Sequence, residues 1–298
     1  MKTKVFIKKC ILTIFAILGY LFCIPIFAHF FWNKNTWRIL RYHSVGDKRV
    51  HETNIQTHIF EEHLKYLQDN YTIISIDEGC KTLSDNTILI NHSVSITFDD
   101  GYMDNYTCAY PVLQKYSVPA TIFIISDYIG TEDILHHDIK DIRENNYLMN
   151  WNQIKSMDPT IISIGSHTSS HCRLSTCTDT IFNEEILKSK QTIENKLKRK
   201  TVFISYPFGT KSDFNNKWPK FLQKAGFKAG FMAQYGWNTN RSNTYTLRRI
   251  GVESSDTLFT LRAKLNGALD LFFLCAESML GRTIIRTGNK LFGTLDYE

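Results

Sequence analysis

The chain has 298 residues, of which 43 % are hydrophobic, and 35 Lys and Arg against 29 Asp and Glu leave a formal net charge of +6. That length suits one large barrel or two ordinary domains, with enough apolar content for a sizeable core. The modest, scattered positive charge argues against a nucleic-acid partner: the densest basic cluster, Lys196, Lys198, Arg199 and Lys200, ends an amphipathic helical segment, where the helix dipole favours cations. Seven cysteines include no Cys-x-x-Cys pair and show no repeated spacing, so neither a thiolate zinc site nor a disulfide framework is indicated.

In chain order, Lys2, Lys4, Lys8 and Lys9 precede a run over residues 10–32 without Asp, Glu, Lys or Arg. Its length fits a membrane span of ~20 residues. The basic start would lie inside, which places a single-pass signal-anchor in the cytoplasmic membrane with the rest of the chain on the extracytoplasmic side. A cleaved signal peptide ending near Ala28 and a helix packed in a core are the alternatives. RILRYHSV (38–45) then reads as a strand, and Phe60, Leu64 and Leu67 recur at helical spacing. YTIISI (71–76) and SVSITF (93–98) read as strands. The stretch from Asp104 to Tyr116 reads as helical, kinked or restarted at Pro111. Further strands are predicted at ATIFIIS (120–126), IISIG (161–165), TVFISY (201–206), KAGFMA (228–233) and YTLRRIGV (245–252). Ile181, Leu187, Ile193 and Leu197 mark a long helix, and Leu261, Leu265, Leu269, Phe272, Ala276 and Leu280 mark a last one. Alternating strands and helices imply an α/β fold with a largely parallel sheet.

The unusual polar residues fall at the C-terminal ends of these strands: His43, then Asp99 and Asp100, then His167 and His171, then Pro207, Phe208 and Gly209. In parallel α/β proteins that edge is where active sites form. GSHTSSH spaces two imidazoles so that, on a helical turn, both share a face and chelate one metal. An aspartate would complete a set of two histidines and one acid that leaves room for water. The second aspartate would then be free to take a proton from that water. Tyr42, Trp151 and Trp237 are either groove or core aromatics, and Cys172 beside His171 is a further soft donor.

ITFDDGYMDNYTCAYPVLQKYSVPATIFIISDYIGT, MNWNQIKSMDPTIISIGSHTSSHCRLS and FISYPFGT together resemble the polysaccharide deacetylase family, the carbohydrate esterases that share the NodB homology domain. The likeness covers most of residues 37–265. It implies a distorted (β/α)7 barrel and metal-dependent removal of N-acetyl, sometimes O-acetyl, groups from sugars. It implies Asp99 as general base, and Asp100, His167 and His171 as ligands of one divalent ion, with Zn2+ ahead of Co2+, Ni2+ or Fe2+. Tyr206, Pro207 and Phe208 would shape the groove, with a backbone N–H after the proline at the oxyanion; Phe208 stands where tyrosine is usual. The family pattern also argues against Cys172 as a ligand.

Two departures matter. Ser205 replaces an arginine common two residues before the proline, which makes Arg248 or Arg249 the candidate orienting charge, the alternative being an ion pair with a surface acid. No histidine follows His171, where many members keep a general acid. In a permuted branch active on surface poly-N-acetylglucosamine that strand comes first, and ILRYHSV resembles it. His43 is therefore the candidate acid, the alternative being a core histidine bonded to backbone. The expected organisation is a basic start and anchor over 1–33, a catalytic domain over 37–265 and a C-terminal helix and tail over 266–298. The expected substrate is an N-acetylated cell-surface or cell-wall glycan. A polyprenyl-linked or other lipid-linked amino sugar losing acetyl or formyl, and a catalytically weak glycan-binding protein, are the alternatives.

Overall fold

The β-branched runs form one curled, wholly parallel sheet. A computed structural model describes residues 2–22, 35–47, 52–85, 87, 89, 92–135 and 147–277. The strands are β1 (Trp37–Tyr42), β2 (Ser44–Val45), β3 (Asn54–Ile55), β4 (Thr72–Ile73), β5 (Ser93–Phe98), β6 (Ala120–Ile124), β7 (Ile162–Ser166), β8 (Phe203–Ser205), β9 (Ala229–Phe231) and β10 (Ile250–Gly251). The order is β10-β1-β5-β6-β7-β8-β9, with β4 beside the start of β5 and β2 paired separately with β3. An isolated parallel bridge, Phe231 to Leu247, spans the opening between the two ends of this half-barrel.

The helices are α1 (Lys2–Leu21), α2 (Thr57–Asn70), α3 (Ile76–Ser84), α4 (Tyr110–Tyr116), α5 (Trp151–Ser156), α6 (Asp179–Leu197), α7 (Trp218–Lys224), α8 (Leu258–Leu265) and α9 (Asp270–Glu277). Alternation along the strands splits the core. Trp37 and Ile39 of β1, Phe123 of β6, Phe203 of β8 and Phe231 of β9 share one buried cluster that fills the curl. Leu40, Tyr42, Ile96, Phe98, Ile122 and Ile124 face the other way, into the cluster beneath the helices.

Among the elements that differ from expectation, the strand predicted at 245–252 keeps only β10, because Thr244–Thr246 is a 3-10 turn capped by the Asn243 side chain. The strand predicted at 71–76 is cut to β4, because Ser75 and Glu78 form a capping box that starts α3. The stretch after Asp104 begins as a π-turn, Asn105–Ala109, before α4 takes over with Pro111 in its first turn. The last helix is broken into α8 and α9 at Gly267, whose φ is +91°; Leu280 lies outside the described residues.

The membrane placement needs correction. Among the described residues no helix is long and apolar enough to cross a membrane. Lys8 and Lys9 lie within α1 instead of flanking an apolar span. One face of α1 packs on the domain: Leu12 and Ala16 are buried, Lys8 pairs with Glu253, and Asn266 donates to the Tyr20 hydroxyl at 2.7 Å. Phe15 meets Phe272 with ring centroids 4.3 Å apart. The single-pass anchor with its extracytoplasmic domain is not supported; residues 23–32 of the predicted span lie outside the described residues.

Candidate active site

Strand parity and one turn bring Asp99 and Asp100 together. Asp99 continues β5, its N–H donating to the Tyr42 carbonyl at 3.0 Å, and so shares the inward face of Ser95 and Thr97. A regular strand would turn Asp100 outward. Asp100 instead takes the left-handed conformation at φ +71°, followed by Gly101 at +83°. A Cβ on Gly101 would also meet Ile124 Cγ2 at 2.8 Å, so glycine is required there twice over.

His167 extends the β6–β7 ladder, its N–H donating to the Ile124 carbonyl at 2.8 Å. Its Nδ1 lies 2.8 Å from the Ser205 carbonyl. A carbonyl only accepts, so Nδ1 carries the proton and Nε2 presents a lone pair. His171 does not reach the same point through a helical turn, as the spacing had suggested. The segment is a loop with Thr168 at φ +66° and His171 at +62°. Glu185 on α6 holds it open, accepting from the Ser169 and Ser170 N–H groups at 3.0 and 2.9 Å and from the Ser170 hydroxyl at 2.7 Å.

Asp100 Oδ1 lies 3.5 Å from His167 Nε2 and 3.4 Å from His171 Nε2. Two donors about 2.0–2.1 Å from one tetrahedral ion are separated by roughly 3.4 Å. The three ligand atoms lie within 4.8 Å of one another, and among the described residues they form the one cluster of this kind. Spacing and donor chemistry therefore fit a divalent metal. Cys172 is outside the cluster, its sulfur lying against Cys177.

Asp99 is not in that cluster; it belongs to Arg249. Nη1 and Nη2 of the buried guanidinium each donate to one carboxylate oxygen at 2.7 Å, and Nη2 also donates to Ser205 Oγ at 2.7 Å. Burial opposes ionisation of Asp99, but the charges and hydrogen bonds of Arg249 outweigh it and hold the carboxyl well below its usual range. Arg249 thus occupies the place beside Ser205 where a shorter-range arginine was missing from the sequence. Arg248 turns instead towards the Tyr235 carbonyl. His43 is half-buried at the end of β1, in the field of Asp100 and Asp99. Burial first, with Arg41 and Arg249, lowers it to about 4 against the pull of the two acids. The Asn105 side chain donates to the His43 carbonyl at 2.7 Å.

Tyr206 does not line the site. Its ring is buried and its hydroxyl donates to the Tyr245 carbonyl at 2.8 Å. Phe208 is half-buried at φ +63°, its ring 5.3 Å from the His171 ring and 4.0 Å from the Arg173 guanidinium carbon. Tyr42 is core, Trp151 lies under Lys196, and Trp237 lies under Arg38. Asp100, Thr168, His171 and Phe208 are half of the eight non-glycine residues with positive φ among the described residues. Such conformations cost ~1–3 kcal/mol each, and their concentration here marks a site held by its surroundings. Sequence reasoning missed Glu185, Asn105 and Arg173, whose polar contacts emerge only when the loops are assembled.

A curled parallel sheet carries two acids and two histidines at its C-terminal edge, the layout of a hydrolase-type site whose donor set suits a divalent ion. The comparisons agree. The family profile described as polysaccharide deacetylase matches residues 89–230. A candidate polysaccharide deacetylase of Bacillus subtilis (strain 168), YxkH, is 34 % identical over 72 % of this chain and 70 % of its own length. Poly-beta-1,6-N-acetyl-D-glucosamine N-deacetylase of Staphylococcus aureus (strain N315) is 30 % identical over 53 % of each chain. Among solved structures, IcaB from Ammonifex degensii superimposes with a TM-score of 0.66 at 23 % identity, covering 78 % of this chain and 97 % of that one. The Streptococcus pyogenes deacetylase PplD gives 0.65 at 23 % identity, covering 78 % and 99 %. This chain belongs to the polysaccharide deacetylase family, hydrolases of carbohydrate esterase family 4.

Proposed function

We propose that residues 37–265 form the catalytic domain of a metal-dependent N-deacetylase acting on an N-acetylated amino-sugar polysaccharide, with a poly-β-1,6-linked N-acetylglucosamine chain as the first candidate. The observation that carries this reading is the pairing of a three-donor cluster, Asp100, His167 and His171, with a second buried carboxylate, Asp99, held ionised by Arg249. The S. aureus relative supplies the substrate class.

In this reading Asp100, His167 and His171 hold the ion, Zn2+ ahead of Co2+, Ni2+ or Fe2+. Bound there, it would supply Lewis-acid polarisation and acidify water. Asp99 takes the proton of the attacking water, and Arg249 fixes the direction of its lone pairs. The backbone N–H of Phe208, after Pro207, donates to the oxygen on which negative charge develops. His43 delivers a proton to the leaving nitrogen. Because its resting form is neutral near pH 7, it acquires that proton during turnover, as charge builds beside it.

Acetate release tests the reading. N-acetylglucosamine oligomers of β-1,6 and β-1,4 linkage, peptidoglycan fragments and polyprenyl-linked amino sugars are compared, with metal content measured in parallel. Release from the β-1,6 oligomers by the parent, lost with the metal in His167→Ala, is expected. Stoichiometric metal in both proteins would overturn the ligand set, and release confined to another substrate would overturn the choice of glycan.

A further inference from the structure

Two cysteines next to the proposed metal loop face each other. The Cys172 and Cys177 sulfurs are 3.2 Å apart, and both residues are half-buried. The turn between them is ordered. The Thr176 N–H donates to the Arg173 carbonyl at 2.9 Å, the Cys177 N–H donates to the Leu174 carbonyl at 3.2 Å, and the Leu174 side chain is buried. A covalent disulfide needs about 2.05 Å, so the sulfurs have roughly 1 Å to close, within the reach of side-chain rotation.

We infer that Cys172 and Cys177 are a crosslinking site: an external disulfide of the glutathione type oxidises them to an intramolecular disulfide. One cysteine sulfur attacks the external disulfide and releases one thiol. The other cysteine sulfur then attacks the mixed disulfide and releases the second. Two S–H bonds break, one S–S bond forms within the chain, and the external disulfide leaves as two thiols carrying both hydrogens.

The location gives the crosslink a consequence. Cys172 directly follows His171. Cys177 directly precedes Thr178, whose side chain caps the start of α6. Arg173, inside the ring that would close, donates to Asp213 at 2.7 Å and stacks on Phe208. The disulfide therefore ties the His171 loop to the start of the helix that carries Glu185, and it clamps the Arg173–Phe208 stack. Oxidation should raise the melting temperature, by constraining the unfolded chain, and slow release of the metal. The second effect rests on the proposed ligand set; the crosslink itself does not.

The full-length protein is equilibrated with glutathione and glutathione disulfide over a range of ratios, quenched in acid, alkylated, and mapped by peptide mass. Cys275, which is exposed, serves as the control for reagent access. The expected result is joint loss of alkylation at Cys172 and Cys177 and recovery of the linked peptides, with a melting point roughly 3 °C or more above that of the reduced protein. In Cys177→Ser the shift disappears, and Cys172 stops at a glutathione adduct. The proposal is overturned if both cysteines in the parent stay free, or carry separate glutathione adducts, at ratios where Cys275 reacts. A crosslink that forms without moving the melting point overturns the clamp. A crosslink that leaves metal release unchanged removes only the link to His171.

Discussion

Arg249 and Asp99, 150 residues apart in sequence, meet in a fully buried, two-pronged ion pair at the mouth of the half-barrel. The guanidinium also donates to Thr97, Ser205 and the Met232 carbonyl, and lies over the Phe123 ring, so its plane is fixed from several sides. It does two things at once. It keeps the carboxylate ionised in a place where burial would neutralise it, and it aims the free lone pairs into the site.

Arg249→Lys is expected to keep the charge and lose the aim. An ammonium cannot reproduce the planar fork. Turnover should fall by roughly 10–100-fold with metal content unchanged, while Asp99→Asn, which cannot accept the proton, should fall by ~10²–10⁴-fold. Arg249→Met leaves a buried carboxylate unpaired and should cost about 3–5 kcal/mol in urea unfolding. A lysine variant with parental turnover would show that Arg249 serves only the fold.

Glu185 should govern metal affinity without touching the metal. It accepts from two backbone N–H groups and one hydroxyl of the His171 loop. Glu185→Ala removes the acceptor of all three and should weaken metal binding about 10–100-fold in chelator competition, as loss of a supporting partner typically does. Unchanged affinity would mean that the left-handed residues Thr168 and His171 hold the loop unaided.

Much of this was legible in the sequence because it depends on periodicity. The inward parity of β5 and β7 predicts Asp99 and His167 from Thr97 and Gly165, and the parity of β1 sends Trp37, Ile39, Arg41 and His43 to one side. The capping box at Ser75 and Glu78 was also present to be read, and it marks the start of α3. The route by which Asp100 joins Asp99 was not legible, because it depends on one left-handed residue. Nor was the choice of Arg249 over Arg248. That required knowing that β10 lies beside β1, and so places one of two adjacent arginines inside. The apolar N-terminal run meets the length rule for a membrane span, whereas the contacts that bury Leu12 and Ala16 of α1 on the domain emerge only with the fold.

Stability should fall on mild acidification through His63. This imidazole lies on the buried face of α2, with Nδ1 3.1 Å from the Tyr42 hydroxyl, and burial lowers it to about 4. Its unfolded value is near ~6.5. Between these values the unfolded chain binds more protons, so stability drops as pH falls through that window and is fully present above it. One such group contributes roughly 2 kcal/mol of loss between pH 7 and 5. His43, lowered in the same direction but half-buried, adds less. His63→Leu should be weaker at pH 7, where the Tyr42 hydroxyl loses its partner, yet flatter across the window. Equal slopes in urea-unfolding midpoints for parent and variant would remove His63 as the cause.

His43→Ala addresses the proton donor. Expulsion of an amine requires a proton, whereas an activated acetyl ester loses its leaving group without one. Asn105 holds the His43 backbone carbonyl, and Ser44 is bonded to Asn54 and Asp104, so the backbone at this strand end does not depend on the imidazole. The variant should therefore keep its fold and its metal. Turnover on an N-acetyl oligosaccharide should fall by ~10²–10⁴-fold, with a much smaller loss on an aryl acetate. Equal losses on both substrates would assign His43 to positioning, through its place beside Asp99 and Asp100. No loss on either would mean that another group protonates the nitrogen, and that the strand-first resemblance of ILRYHSV does not extend to catalysis.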